Sequence, residues 1–502
     1  MRPLWPRVNR WLTWFHRWAG VVLGLLIAAW FASGAVLHFV GFPSLPAADR
    51  FARGETIDLR RLDIAPADAL ARAEAVAGAQ SVDGMRLISV AGTPTYIVSV
   101  AGTPTYVMTS GESEIAVAGD TGRVTHTYPA ATAAIVAARF GHATVAGVTG
   151  PLEYDQWIVH QQFDPYRPLF RVRLEDPQRT DLYVSARTGE VVQRTTASER
   201  LWNWCGAVLH WIYFTPVRKD WSLWNQLVWW VSLVAVLTSV AGTWLGLHRY
   251  LRNRAHGRAG LSPYRGWMRW HHVIGLFASI VVLVWMCSGW LSMDHGRFFS
   301  LPIASANASA RMRGMSFAGI TEATPLEVLR SAGPGSVIEF HAIDRRPLLT
   351  IRGGAVQGGS RILWLDTRQV SKAPIPEALL LSALRAAWPS NAATPIDGSS
   401  STDELYREAE SVPEDAMAAR TGSGGQIRVY VGRFSGLPLA VMNPSRRAYA
   451  WIYYCLHTLN FPGLVEHPAT RTIVEMLLLL FGFAFCVTGI VLGVRRLKIE
   501  LS

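Results

Sequence analysis

Four stretches of this 502-residue chain are apolar over a length that crosses a bilayer, and no other feature constrains the fold as much. They run over 18–40, 222–247, 271–293 and 472–494, and about 20 apolar residues suffice to span the hydrocarbon. The first is longer than the apolar run of a signal peptide, about 7–15 residues, and is read as a retained span. Only the fourth holds an acidic residue, Glu475, one turn from its start, where the interface can still solvate it.

Charge gives the orientation. The arm 1–17 carries Arg2, Arg7, Arg10 and Arg17. The connection 248–270 carries six arginines, from Arg249 to Arg269, and the tail 495–502 carries Arg495, Arg496 and Lys498. Glu500 is the only acidic residue in these three segments. The positive-inside rule places all three in the cytoplasm, and 41–221 and 294–471 outside it. The net charge of +12 is then mainly a topology signal. Basic residues that flank spans rather than form one patch exclude nucleic acid as a partner and leave the lipid bilayer. The four cysteines form no CxxC or CxxCH, so neither a zinc knuckle nor covalently attached haem is indicated. A disulfide between Cys205 and Cys455 stays open.

The outer segments read as helix followed by sheet. "PADALARAEAVAGA" at 66–79 has helix composition. "SVAGTPTY" occurs at 89–96 and again at 99–106, and reads as a hairpin with Gly-Thr-Pro as its turn. "EIAVAGDTGRVT" and "DLYVSARTGEVV" each read as strand, turn, strand.

A longer repeat matters more. His16 is followed at offsets of four and seventeen by Gly20 and Ser33, and His271 at the same offsets by Gly275 and Ser288. His210 precedes Gly242 by 32 residues, and His457 precedes Gly489 by 32. The spacing predicts an internal duplication. Each half is a span, an outer segment, a short aromatic His segment (199–215 or 447–463) and a second span. The four helices would form a pseudo-twofold bundle.

Ionisable side chains near hydrocarbon are costly and usually functional. Imidazole is also the common axial ligand of b-type haem. His16, Gly20 and Gly24 fall on one helix face, a ligand above bare backbone against which a flat macrocycle could lie. The alternative is that the glycines serve helix packing. Gly242/Gly246 and Gly489/Gly493 suit that packing role better. His210 and His457 sit in aromatic segments that must bend, because a continuous helix from His210 to His248 would be about 57 Å long. Their alternative is an interfacial anchor. His16, His271, His210 and His457 are the candidate haem ligands, with His38, His248, His272 and His295 as reserves. Arg167, Arg171, Arg218 and Lys219 are candidates for attracting an anionic chelate or for a solvated face.

"SPYRGWMRWHHVIGLFASIVVLVWMCSGWLSMDHGRFFS" at 262–300, the "LH" segments and the "AGDTGRV" and "ARTGEVV" turns resemble the PepSY-associated transmembrane family of bacteria. The resemblance implies an α-helical inner-membrane protein with four transmembrane helices and two α+β, PepSY-like periplasmic domains. It also implies two b-type haems and reduction of a ferric siderophore or similar ferric chelate in iron uptake. No GxGxxG follows a strand, so electrons must come from quinol or from a cytoplasmic or membrane donor. The competing readings are a non-enzymatic PepSY anchor that binds or inhibits a periplasmic protease or peptide, and a sensor.

Overall fold

The computed structural model describes residues 4–78, 82–100, 113–299, 305–353, 359–388, 393–396, 401–422 and 425–501. Four long helices run over Leu4–Phe39, Trp221–Ala255, Gly266–Ser292 and Pro468–Leu501, here called the first to fourth helices. All four are long and apolar enough to cross a membrane. A helix of 36 residues is about 54 Å long, well beyond the roughly 30 Å of hydrocarbon. The spans expected from sequence are therefore the apolar middles of longer helices. The basic arm and most of the connection 248–270 are helical ends rather than loops.

The first helix packs on the second and fourth, and the third packs on the same two. Ile27, Phe31, Ala235, Ala278, Trp285 and Leu479 fill the centre of this ring. Val22, Leu25, Ile280, Leu477 and Leu480 face outward and are well exposed. In water such a girdle would be unfavourable, whereas lipid tails accept it.

Each long connection builds two helix-plus-antiparallel-sheet units rather than one. Helix Pro66–Ala77 covers a sheet within 82–125, and helix Ala130–Gly141 covers one within 145–195. The second connection repeats the plan with sheets within 337–371 and 394–442. The leading sheets of the two connections join. Strand Val82–Val90 pairs antiparallel with Val337–Ile343, setting Arg86 opposite Glu339 in one eight-stranded sheet. Alternation along a strand specifies its faces and leaves its edge partners undetermined.

The first "SVAGTPTY" copy is a hairpin, but Ala91 and Gly92 form its turn, at φ 52° and 88°. Two consecutive residues at positive φ match the twist of the flanking strands, so Thr93 and Pro94 begin the next strand. Residues 101–106 of the second copy lie outside the described residues. The two Thr-Gly turns form as expected, with Gly122 and Gly189 at φ 71° and 76°.

Candidate functional site: two imidazole pairs in the helix bundle

The four candidate histidines meet as two pairs, each joining the two halves of the chain. His16 and His271 face each other with ring centroids 6.3 Å apart, toward the bundle end that holds the chain termini. His210 and His457 lie 6.2 Å apart toward the end that meets the sheets. The first pair stands on the first and third helices. The second comes from short segments that bend as their length required. His210 ends helix Ala207–His210, and His457 follows the wide turn Trp451–Cys455. Both segments then reverse through a non-glycine residue at positive φ, Ile212 at 54° and Leu459 at 55°. A β-branched residue is rare there; these two positions are equivalent in the two halves.

Hydrogen bonding assigns the tautomer of all four rings. His16 Nδ1 lies 3.0 Å from the carbonyl oxygen of Thr238. A carbonyl can only accept, so Nδ1 carries the proton and Nε2 keeps a bare lone pair. The other three rings reach the same state through hydroxyls. Ser33 donates to the carbonyl of Trp30, so its oxygen accepts from His210 Nδ1 at 3.0 Å. Ser288 donates to Trp285 and accepts from His457 Nδ1 at 3.1 Å. Thr488 donates to Phe485 and accepts from His271 Nδ1 at 3.0 Å. A hydrogen bond at Nδ1 that leaves Nε2 free is the usual support of a metal-binding imidazole.

Glycines make the close approach possible. An added Cβ at Gly242 would stand 2.5 Å from His16 Cε1, and one at Gly289 would stand 3.0 Å from His457 Cε1. At Gly489 and Gly34 the corresponding distances to His271 and His210 are 3.4 and 3.6 Å. The glycines beside the rings are not those of the stripe expected below His16, which stays uncrowded. A Cβ at Gly20 meets nothing within 4 Å, and one at Gly24 meets only Ile490. Gly275 makes room for Phe485, which stacks on His271 at 4.8 Å. The useful glycines, Gly242 and Gly489, are those assigned to packing from sequence. The 32-residue offset already tied them to His210 and His457, but helix packing brings them to His16 and His271.

From His16 to Ser33 is 17 residues, about 25 Å along a helix. Aromatic rings occupy the interval. Phe31 meets Trp285 edge-on at 5.5 Å, and Trp285 Nε1 donates to the carbonyl of His457 at 2.9 Å.

The reserve histidines form no facing pairs among the described residues. His248 stacks on Trp244 and approaches Asn9, and His272 bonds the carbonyl of Gly246. His295 lies on Trp229 and 3.2 Å from Asn225. His38 pairs with Glu475 at 2.9 Å, so the helix buries that carboxylate instead of leaving it to interfacial water. All four cysteines are free, which excludes the Cys205–Cys455 bridge. Arg167, Arg171 and Arg218 are spent on internal partners, Asp164, Asp155 and Gln161 respectively.

Two imidazoles this close, with Nδ1 engaged and no hydrogen bond to Nε2 among the described residues, could share one iron. Metal–imidazole bonds of about 2.0–2.1 Å, with the nitrogen-to-centre distance added on each side, give a centroid separation of about 6 Å. The residues present fit a haem that either imidazole pair would hold through Nε2. No group of three or more His, Cys, Asp or Glu side chains suited to a bare metal ion occurs among the described residues. The family model for the PepSY-associated TM region matches residues 13–336, which take in most of the first long helix and all of the second and third. No curated protein and no solved structure is recognisably similar to the chain.

Proposed function

The chain belongs to the PepSY-associated transmembrane family, and from that premise we propose that it is an inner-membrane haem b reductase. It would pass electrons across the membrane to a ferric siderophore or similar ferric chelate. His16 and His271 hold one b-type haem through Nε2, and His210 and His457 hold a second. Bound there, the haem supplies a one-electron Fe(III)/Fe(II) couple. Ser33, Thr238, Ser288 and Thr488 fix the imidazoles in the ligating tautomer, while Gly34, Gly242, Gly289 and Gly489 keep the neighbouring backbone clear of the rings. Equivalent partners in both halves support the internal duplication. The arginine asymmetry supports cytoplasmic termini and periplasmic sheets.

Iron release follows from one electron, because Fe(II) binds hard oxygen-donor chelates far more weakly than Fe(III). The chain needs no nucleophile or general base for that step. The donor is quinol or another membrane or cytoplasmic reductant. A groove of about 470 Å³ between the third and fourth helices is lined by Trp267, Trp270, Ile274, Phe483 and Thr488. It opens onto the lipid side of the threonine that holds His271.

The observation that carries this reading is the pair of cross-half imidazole contacts with no hydrogen bond to any of the four Nε2 atoms among the described residues. A PepSY anchor or a sensor would have no use for that preset tautomer. The test is spectroscopic. Purified protein should be red, show a Soret band and b-type α and β bands after dithionite, and contain two haems per chain. A colourless, haem-free protein would overturn the proposal.

A further inference from the structure

One titratable cluster in the bundle has no part in the imidazole pairs. His38 Nδ1 lies 2.9 Å from Glu475 Oε2, and His38 Nε2 lies 2.8 Å from Thr472 Oγ1. Both side chains of the ion pair are largely buried, 9% and 12% exposed. The location follows from Gly34, whose Cβ would touch His210 and Leu479 at once. His38 is four residues beyond Gly34, and Glu475 is four residues before Leu479. The pair therefore sits one helical turn, about 6 Å along the helices, beyond the level of Gly34 and Leu479 at which His210 packs, on its sheet side.

The bonding differs from that of the four pair histidines in one respect. Their Nδ1 protons face a carbonyl, at His16, or a hydroxyl whose own proton is already given to a carbonyl, at the other three. His38 faces a carboxylate on one side and a hydroxyl on the other. The hydroxyl of Thr472 can donate to a neutral Nε2 or accept from a protonated one. The cluster can thus gain or lose a proton without moving a heavy atom. Of the surrounding charges, Arg471 lies one turn before Glu475 and its charge acts on it, while the others are paired elsewhere. Arg471 bonds Asn460, and on the short helix Ala197–Cys205 Glu199 caps Thr196 while Arg200 pairs with Asp181. Glu408 lies beyond Arg471 and Asn460.

We propose that the His38–Glu475 pair is a redox-linked proton site for the His210–His457 centre, an inference that rests on the haem reading above. One electron arriving at that centre is balanced by one proton taken from water onto the pair. When the electron leaves for the ferric chelate, the proton returns to water. An added charge in a poorly solvated site is costly, and an opposite charge one turn away offsets it.

The test is a redox titration of the purified holoprotein, followed optically at several pH values. In the wild type, the midpoint of one of the two haems should fall as pH rises while the other stays level. Glu475→Gln, nearly the same shape, should flatten that slope and keep both haems. His295→Gln should leave the slope intact. A carboxyl band in the reduced-minus-oxidised infrared spectrum of unmutated protein, absent in Glu475→Gln, reads the same event directly. Equal slopes in wild type and Glu475→Gln, with no such band, overturn this inference and leave the haem reading standing. Protein without haem overturns both.

Discussion

The two imidazole pairs are built on one plan and differ in how strictly they follow it. At the sheet end the halves match position for position: Ser33 and Ser288, the carbonyls of Trp30 and Trp285, Gly34 and Gly289, Ile212 and Leu459. At the terminal end they diverge. Thr238 and Phe485 occupy equivalent positions in the second and fourth helices. His16 bonds the carbonyl of Thr238 directly, whereas His271 reaches that of Phe485 through the hydroxyl of Thr488. The residue equivalent to Thr488 is Ala241, which has no hydroxyl. Without that hydroxyl the ring draws closer, and a Cβ would lie 2.5 Å from His16 at Gly242 but 3.4 Å from His271 at Gly489. One deleted hydroxyl is thus absorbed by a closer helix approach that only glycine permits. The sheet-end pair, in contrast, depends on segments that hang from the sheet domains.

The largest expected effect separates the pairs outright. His16→Ala and His457→Ala should each remove one of two haems, and the double variant should remove both, as read by haem-to-protein ratio. Loss of all haem from either single variant would mean that the two sites are not independent.

Next comes the close approach. Gly242→Leu should cost about 1–3 kcal/mol of stability by overpacking and empty the terminal-end site. Gly489→Ala, with its looser contact, should cost well under that. Thermal unfolding in detergent orders the two, and equal costs would contradict the asymmetry.

Smaller effects come from the hydroxyls. Ser288→Ala should cost about 1 kcal/mol and lower haem retention at the sheet end. Thr488→Ala should be milder, because His271 can fall back on the Phe485 carbonyl as His16 does with Thr238. Difference spectra of the two variants check the order.

A last test, by pH rather than by a site residue, concerns the sheet domains that carry the sheet-end pair. Burial raises the Glu339 carboxyl, but His341 and Arg352 outweigh it and hold it at about 2. A carboxyl lowered in the folded state adds stability above its unfolded value of about 4.3, and that stability is lost as pH falls toward 2. Between pH 5 and pH 3 the wild type should lose no more than about 2 kcal/mol through this group. Glu339→Gln should lose correspondingly less, as read by melting temperature.

Much of this was legible in the chain. The four spans, the bends at His210 and His457, the helix at 66–77 and the Thr-Gly turns all follow from local pattern. The identity of the four histidines followed from equal offsets in two halves. The glycines beside the His16 and His271 rings, Gly242 and Gly489, were assigned to helix packing alone, because one helix face does not reveal what lies against it. Glu475 was placed in interfacial water, because its partner His38 is 437 residues away in sequence.

The sequence by itself determined a four-helix membrane bundle with repeated histidines, because hydropathy, helical period and spacing are properties of neighbouring residues. Tertiary structure decided that His16 meets His271 and His210 meets His457. It also decided which nitrogen each ring exposes, and that two sheets fuse between Arg86 and Glu339. Those outcomes depend on which helix faces and strand edges come within about 3 Å of each other for hydrogen bonding, and no local pattern encodes that distance.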